Sequence, residues 1–166
     1  MHHLVFPEVS PLISFVSSAS SSENGGAGYR SAYLRRTDQE FVQMLNGFRC
    51  SGGLSRLKEV AILCANRSGL DIPSLSACLA RKEIICFEWR SEAWLPLFQF
   101  DPLDMKPRPQ MQPVVSELSC IYGPWDLAYW FSQPNPWLAD RTPADCVLSD
   151  LSTVLQAARA DRFVAS

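Results

Sequence analysis

Histidine sits only at the very start of this 166-residue chain, at His2 and His3. The rest of the sequence therefore holds no imidazole base, and Ser/His/Asp or Cys/His machinery cannot be assembled from it. Six cysteines are spread along the chain at Cys50, Cys64, Cys78, Cys86, Cys120 and Cys146. None forms a C-x-x-C pair and none has a histidine nearby, so the clustered donors a zinc ion needs are missing. Isolated cysteines in apolar runs behave as small buried hydrophobes, and free thiols fit a reducing, cytoplasmic compartment. No G-x-x-x-x-G-K-[ST] loop occurs, and Gly25-Gly26-Ala27-Gly28 lacks a following Lys and reads as a flexible link. Asp101 and Asp104 are a possible carboxylate pair, but aspartates between prolines more commonly cap the backbone of a turn, and that reading is preferred. The expectation is no catalytic set, no metal and no cofactor, hence no enzyme.

The residues better suited to binding are aromatic and basic. Trp89, Trp94, Trp125, Trp130, Phe98 and Phe100 could form a stacking platform, although most fall on apolar faces and read as core. Trp137 differs, because it sits in the loop Pro134-Asn135-Pro136-Trp137-Leu138. It either anchors a partner or plugs the gap between two helices. Arg159 and Arg162, with Asp161 between them, end the chain. They read equally as a solvated helix terminus or as a basic contact tip.

Several elements must position these residues. Residues 1–36 read as a disordered tail, since Ser17 to Gly28 buries little. Thr37-Asp38-Gln39-Glu40 is a capping box that starts a helix carrying Phe41, Met44, Leu45 and Phe48 inward, closed by Gly52-Gly53. A second helix is expected over 54–65 and a third over 73–82. The period then changes. Ile84 to Trp89 and Ala93 to Phe100 read as a hairpin, with Pro96 marking its strand as an edge or as bulged. Residues 101–113, with four prolines, read as a linker. Helices follow around Val114 to Ile121, from Pro124 to Phe131, and from about Leu151 to Phe163, the last capped by Asp150 or Ser152. Thr142-Pro143-Ala144-Asp145 is the clearest start signal: Thr caps, Pro occupies N1, and Asp complements the dipole.

Helix, turn, helix and hairpin in this order suggest a winged helix-turn-helix unit over residues 37–100. Residues 49–90 hold seven basic and four acidic side chains, while residues from 101 onward hold five basic and eight acidic. The first stretch is thus the more suited to DNA, with Ser74, Ser76, Arg81 and Lys82 on or beside the reading helix. The whole chain has net charge −2, so no global basic field announces nucleic acid. Pro7, Glu8 and Pro11 break the first apolar run, no Lys or Arg precedes Arg30, and no stretch approaches the ~20 apolar residues of a membrane helix. Neither a secretory signal nor a membrane contact is expected.

The stretch from Trp130 to Asp145 resembles the bacterial Xre/MbcA/ParS-type toxin-binding domain, with Asn135, Leu138, Arg141, Thr142 and Pro143 standing at the places of its N-x-x-L-x-x-x-[TP]-P turn. The resemblance covers residues 114 to 163. Ahead of it, Trp94-Leu95-Pro96-Leu97-Phe98-Gln99-Phe100-Asp101 is similar to a W-L-P-x-F-Q-F-D segment that precedes this module in some proteobacterial proteins, and Gly52-Gly53-Leu54-Ser55-Arg56 is a weaker match. The sequence departs from the pattern at Ser149-Asp150, where Gly is usual, and shows no five-helix Xre signature. The resemblance implies an antitoxin-like role: binding and neutralising a cognate protein toxin, of the NAD-consuming RES type in the best-described members, often as a homodimer that represses its own operon on operator DNA. Carried over by position, the partner surface would include Asn135, Leu138, Arg141 and Thr142, with Arg159 and Arg162 on the last helix, and Trp137 joins it by its place in the loop.

The sequence therefore predicts a mainly α protein with one β-hairpin. A winged-helix-like part over 37–100 is followed by a Pro-rich linker and a small helical bundle over 114–166. The expected role is antitoxin-like, the alternative being a DNA-binding transcriptional regulator without a toxin.

Overall fold

The computed structural model describes residues 27–67, 69 and 71–165. Residues 1–26, which include both histidines and most of the expected tail, lie outside the described residues. The described chain is mainly helical with one small antiparallel sheet: α1 (Ala27–Gly47), β1 (Leu54–Arg56), α2 (Leu57–Arg67), α3 (Ile72–Ala80), β2 (Phe87–Trp89), β3 (Glu92–Pro96), α4 (Gln112–Leu118), α5 (Pro124–Ser132), α6 (Pro143–Cys146) and α7 (Leu151–Ala165).

Two local expectations are corrected. The helix does not begin at the capping box of Thr37. It already runs from Ala27, because no proline interrupts the span to Arg36, Ala, Leu and Arg favour the helix, and the one unfavourable residue, Gly28, falls in its first turn. Leu54 is also not the start of a helix. Gly52 and Gly53 turn the chain at φ 105° and 85°, and the next three residues become an edge strand paired to β3, Leu54 opposite Pro96 and Arg56 opposite Trp94. α2 then starts at Leu57. Glu59 tethers that start by accepting from the Ser55 hydroxyl at 2.8 Å and the Arg56 N–H at 3.3 Å.

The sheet order is β1-β3-β2. β2 and β3 form the expected hairpin, joined through Arg90 and Ser91, which both adopt left-handed backbone at φ 50° and 60°. Contrary to the edge or bulge expected from Pro96, β3 is the central strand. Proline is tolerated because it ends the strand, and the ladder is carried on by Leu97 N–H, which donates to Gly53 O at 2.9 Å.

The core has two clusters. One fills the space between α2, α3 and the sheet with Leu57, Val60, Leu75, Ile84, Leu95 and Met105. The other joins Phe41, Met44 and Phe48 of α1 to Phe87 and Phe98, and then to Leu118, Phe131 and Val154 of the later helices. Each such fully buried side chain contributes about 1.5–3 kcal/mol relative to exposure. Residues 101–113 are not an extended link: Met105 packs into the first cluster, Met111 into the second, and Phe100 bridges to Pro107. Asp101 and Asp104 cap this turn, accepting from the N–H groups of Leu103 and Lys106 at 2.9 and 3.0 Å.

Candidate functional site

α5 ends at Ser132, and Pro134 and Pro136 stiffen the chain that follows. Asn135 organises the loop from the inside. Its Oδ1 accepts from Trp137 N–H at 2.9 Å. Its carbonyl accepts from Leu138 at 2.9 Å and from Asp140 at 3.1 Å, while its own N–H donates to Arg141 O at 3.1 Å. Its Nδ2 reaches Asp161 of α7 at 3.4 Å, and the same carboxylate oxygen accepts from the Trp130 indole at 2.6 Å. Ala139 and Asp140 complete the reversal in left-handed backbone. Thr142 then caps α6 by accepting from Asp145 N–H at 3.2 Å.

The result is a fixed loop that holds one large apolar side chain in solvent: Trp137 is 65% exposed, whereas Leu138 beside it is 3% exposed. Trp137 lines a groove of about 510 Å³ together with Tyr122, Asp126, Tyr129, Pro134 and Asp161. The Tyr122 phenol is held above its ordinary range by burial first, and then by the negative charges of Asp161 and Asp126. Aromatic faces beside two carboxylates favour an apolar or cationic side chain of a partner.

Comparison with protein-family models, curated proteins and solved structures returned no match. The site is therefore read from its geometry. Of the residues proposed for partner binding, Asn135 and Leu138 are buried and position the loop, and Thr142 is a helix cap. Arg141 is exposed, with its Nε donating to Leu138 O at 3.3 Å. Arg159 and Arg162 lie in the C-terminal half of α7 and pair with Glu117 of α4 at 3.6 and 2.8 Å. Trp137 and Arg141 are the two that the loop itself turns to solvent. Tyr122, Asp126 and Tyr129 were missed by sequence reasoning. The one signal for them was the three-residue spacing of Asp126 and Tyr129, which places both on one face of α5.

The residues proposed for DNA are placed at both ends of α3. Asp71 caps the helix by accepting from Ser74 N–H at 2.9 Å, and the Ser76 hydroxyl donates back to Ile72 O at 2.8 Å. Arg81 forms a two-point pair with Glu83 at 2.6 and 3.0 Å. Lys82 turns away from the helix at φ 55°. The tryptophans and phenylalanines that could have formed a stacking platform pack against the core instead: Phe41 stacks on Trp89 with centroids 3.7 Å apart, and Phe98 packs on Phe48 and Phe131.

Among the described residues, no group of three or more His, Cys, Asp and Glu could hold a metal ion, and no helix is long and apolar enough to cross a membrane. Burial pushes the Cys64 and Cys78 thiols up and the Cys86 thiol to about 12, so these cysteines are not thiolates near neutral pH.

Proposed function

We propose that this chain is an antitoxin-like interaction protein of the cytoplasm that binds and neutralises a partner protein toxin through the loop carrying Trp137. The observation that carries the reading is the exposure of Trp137 on a loop already fixed by Asn135. Tryptophan is the side chain most suited to anchor an interface, and a loop whose backbone is already fixed loses less entropy on binding than a free one. The resemblance of Trp130 to Asp145 to the Xre/MbcA/ParS-type toxin-binding domain supports the same loop and suggests a RES-type toxin. The test is co-expression with the protein encoded by the adjacent gene. Rescue of growth that is lost on Trp137→Ala is expected. A neighbouring product that is harmless alone, or that this chain neither binds nor neutralises, overturns the reading.

A second reading, a regulator that binds operator DNA, is favoured by the element order α1-β1-α2-α3-β2-β3 with β3 central, the arrangement of a winged helix-turn-helix unit. The pairing of Arg81 with Glu83 and the local bonds of Ser74 and Ser76 count against tight phosphate contact. A gel-shift titration on the upstream region tests it: this reading requires binding that weakens steeply with salt.

A further inference from the structure

Where the end of α3 meets the later helices there is a second cavity, of about 190 Å³. Its walls come from both parts of the chain: Leu79, Ile84 and Ile85 on one side, Val115, Pro124 and Leu127 on the other. Its volume is close to that of an apolar cavity of about 150 Å³ that accommodates benzene, although this one is partly open to solvent. Space of this kind suits a body of six or seven carbons and is too small for a nucleotide.

Polar character enters the lining at few points. The Ser119 hydroxyl is already spent on Val115 O at 2.6 Å. Tyr122 lines both this cavity and the Trp137 groove. Lys82 is the one charged residue of the lining, and it is exposed, which puts it at the rim. Its neighbour Arg81 is matched by Glu83, whereas no ion pair holds Lys82 among the described residues. Its backbone is left-handed, and its N–H donates to Leu79 O at 3.0 Å just past the end of α3.

We propose that this cavity binds a small monocarboxylate with an aromatic or similarly compact apolar body, the body between Leu79, Val115 and Leu127 and the carboxylate on the Lys82 ammonium. Small-ligand sites combine apolar walls with a few placed polar groups in this way. Lys82 then serves a ligand rather than DNA phosphate. The bound molecule touches both parts of the chain at once and so stabilises their packing.

The test uses the full chain with benzoate as probe and benzyl alcohol as a neutral probe of similar size. The readout is the methyl NMR spectrum. The Ile84, Val115 and Leu127 signals should shift saturably with benzoate while Val60 and Val147 stay in place, with a Kd near ~1 mM, as expected for a ligand of about nine heavy atoms. Benzyl alcohol on the wild type, and benzoate on Lys82→Met, should each bind about tenfold more weakly, because each loses the charged contact. Benzoate should also raise the melting temperature of the wild type more than that of Lys82→Met. Absence of a saturable shift at those methyls up to ~20 mM benzoate, well past that Kd, overturns the site. Equal affinity for benzyl alcohol, or for benzoate on Lys82→Met, overturns the carboxylate assignment. None of these outcomes bears on Trp137 or on the toxin reading.

Discussion

Gly47, the last residue of α1, lies against the backbone carbonyl of Ser132 at the end of α5, so close that a β-carbon would overlap the oxygen and sit 2.9 Å from the carbonyl carbon. Two elements far apart in the sequence, Ala27–Gly47 and Pro124–Ser132, meet here backbone to backbone. The obstructing atoms are the carbonyl oxygen and carbon of Ser132 and its Cβ, none of which can rotate away without moving the main chain.

Gly47→Ala should therefore reverse the usual sign. Within a helix this change ordinarily stabilises by about 0.8–1 kcal/mol. At Gly47 it should cost about 2–4 kcal/mol, by forcing α1 and α5 apart. Urea unfolding followed by tryptophan fluorescence measures it. A variant as stable as the wild type would show that the helices do not approach this closely.

Gln99 is 2% exposed and spends its amide on one residue. Its Oε1 accepts from Ile85 N–H at 2.6 Å and its Nε2 donates to Ile85 O at 2.9 Å. Gln99→Leu keeps the volume but leaves both backbone groups without partners, at a cost of about 2–4 kcal/mol. Calorimetry should show a clearly lowered melting temperature, and an unchanged one contradicts the paired geometry.

Trp137 and Arg162 should separate binding from folding. Trp137→Ala should leave stability within about 0.5 kcal/mol while weakening partner binding at least ~10-fold. Arg162→Ala removes one arm of the pair with Glu117, which still has Arg159. With Arg162 about half exposed, the loss should be at most ~1 kcal/mol and should shrink as salt is added. Chemical denaturation at low and high salt, alongside pull-down of the partner, reads both. A large stability loss in Trp137→Ala would make that residue a structural plug instead.

Asp150 caps α7, accepting from the Thr153 hydroxyl at 2.7 Å and its N–H at 3.2 Å, and from the Ser152 hydroxyl at 3.0 Å. The Thr153 bonds, with the smaller help of Ser152, hold its carboxyl below the ordinary value of 3.8. The unfolded chain therefore takes up this proton first as pH falls. The stabilisation is complete above the ordinary value and is lost as pH drops through the lower folded-state one. Asp150→Ala should separate from the wild type in urea midpoint at about pH 7 and converge with it towards about pH 3 or below. A gap that stays constant over this range contradicts a charged cap.

Sequence periodicity was enough for the mainly helical class, the hairpin and the caps at Thr142 and Asp150, because these depend on neighbours within four residues. The inward aromatics Phe41, Phe48 and Phe131 were legible for the same reason. β1 was not, because a three-residue strand is defined by its partner β3, forty residues away in the chain, and its own residues also fit a helical pattern. The packed state of residues 101–113 was hidden too, since Met105 and Met111 are buried by contacts no local pattern encodes.

The same division runs through the site. The residues from Asn135 to Asp145 announced a rigid, capped turn by themselves, since proline, threonine and asparagine act on adjacent backbone. Which of them face outward was decided only by tertiary structure. Asn135 turned inward because Asp161 of α7, itself held by the Trp130 indole, completes its bonding, Arg159 and Arg162 were drawn to Glu117, and Trp137 was left in solvent beside Tyr122 and Tyr129. Short-range chemistry fixes the shape of the loop, and the packing of helices distant in sequence fixes what it presents.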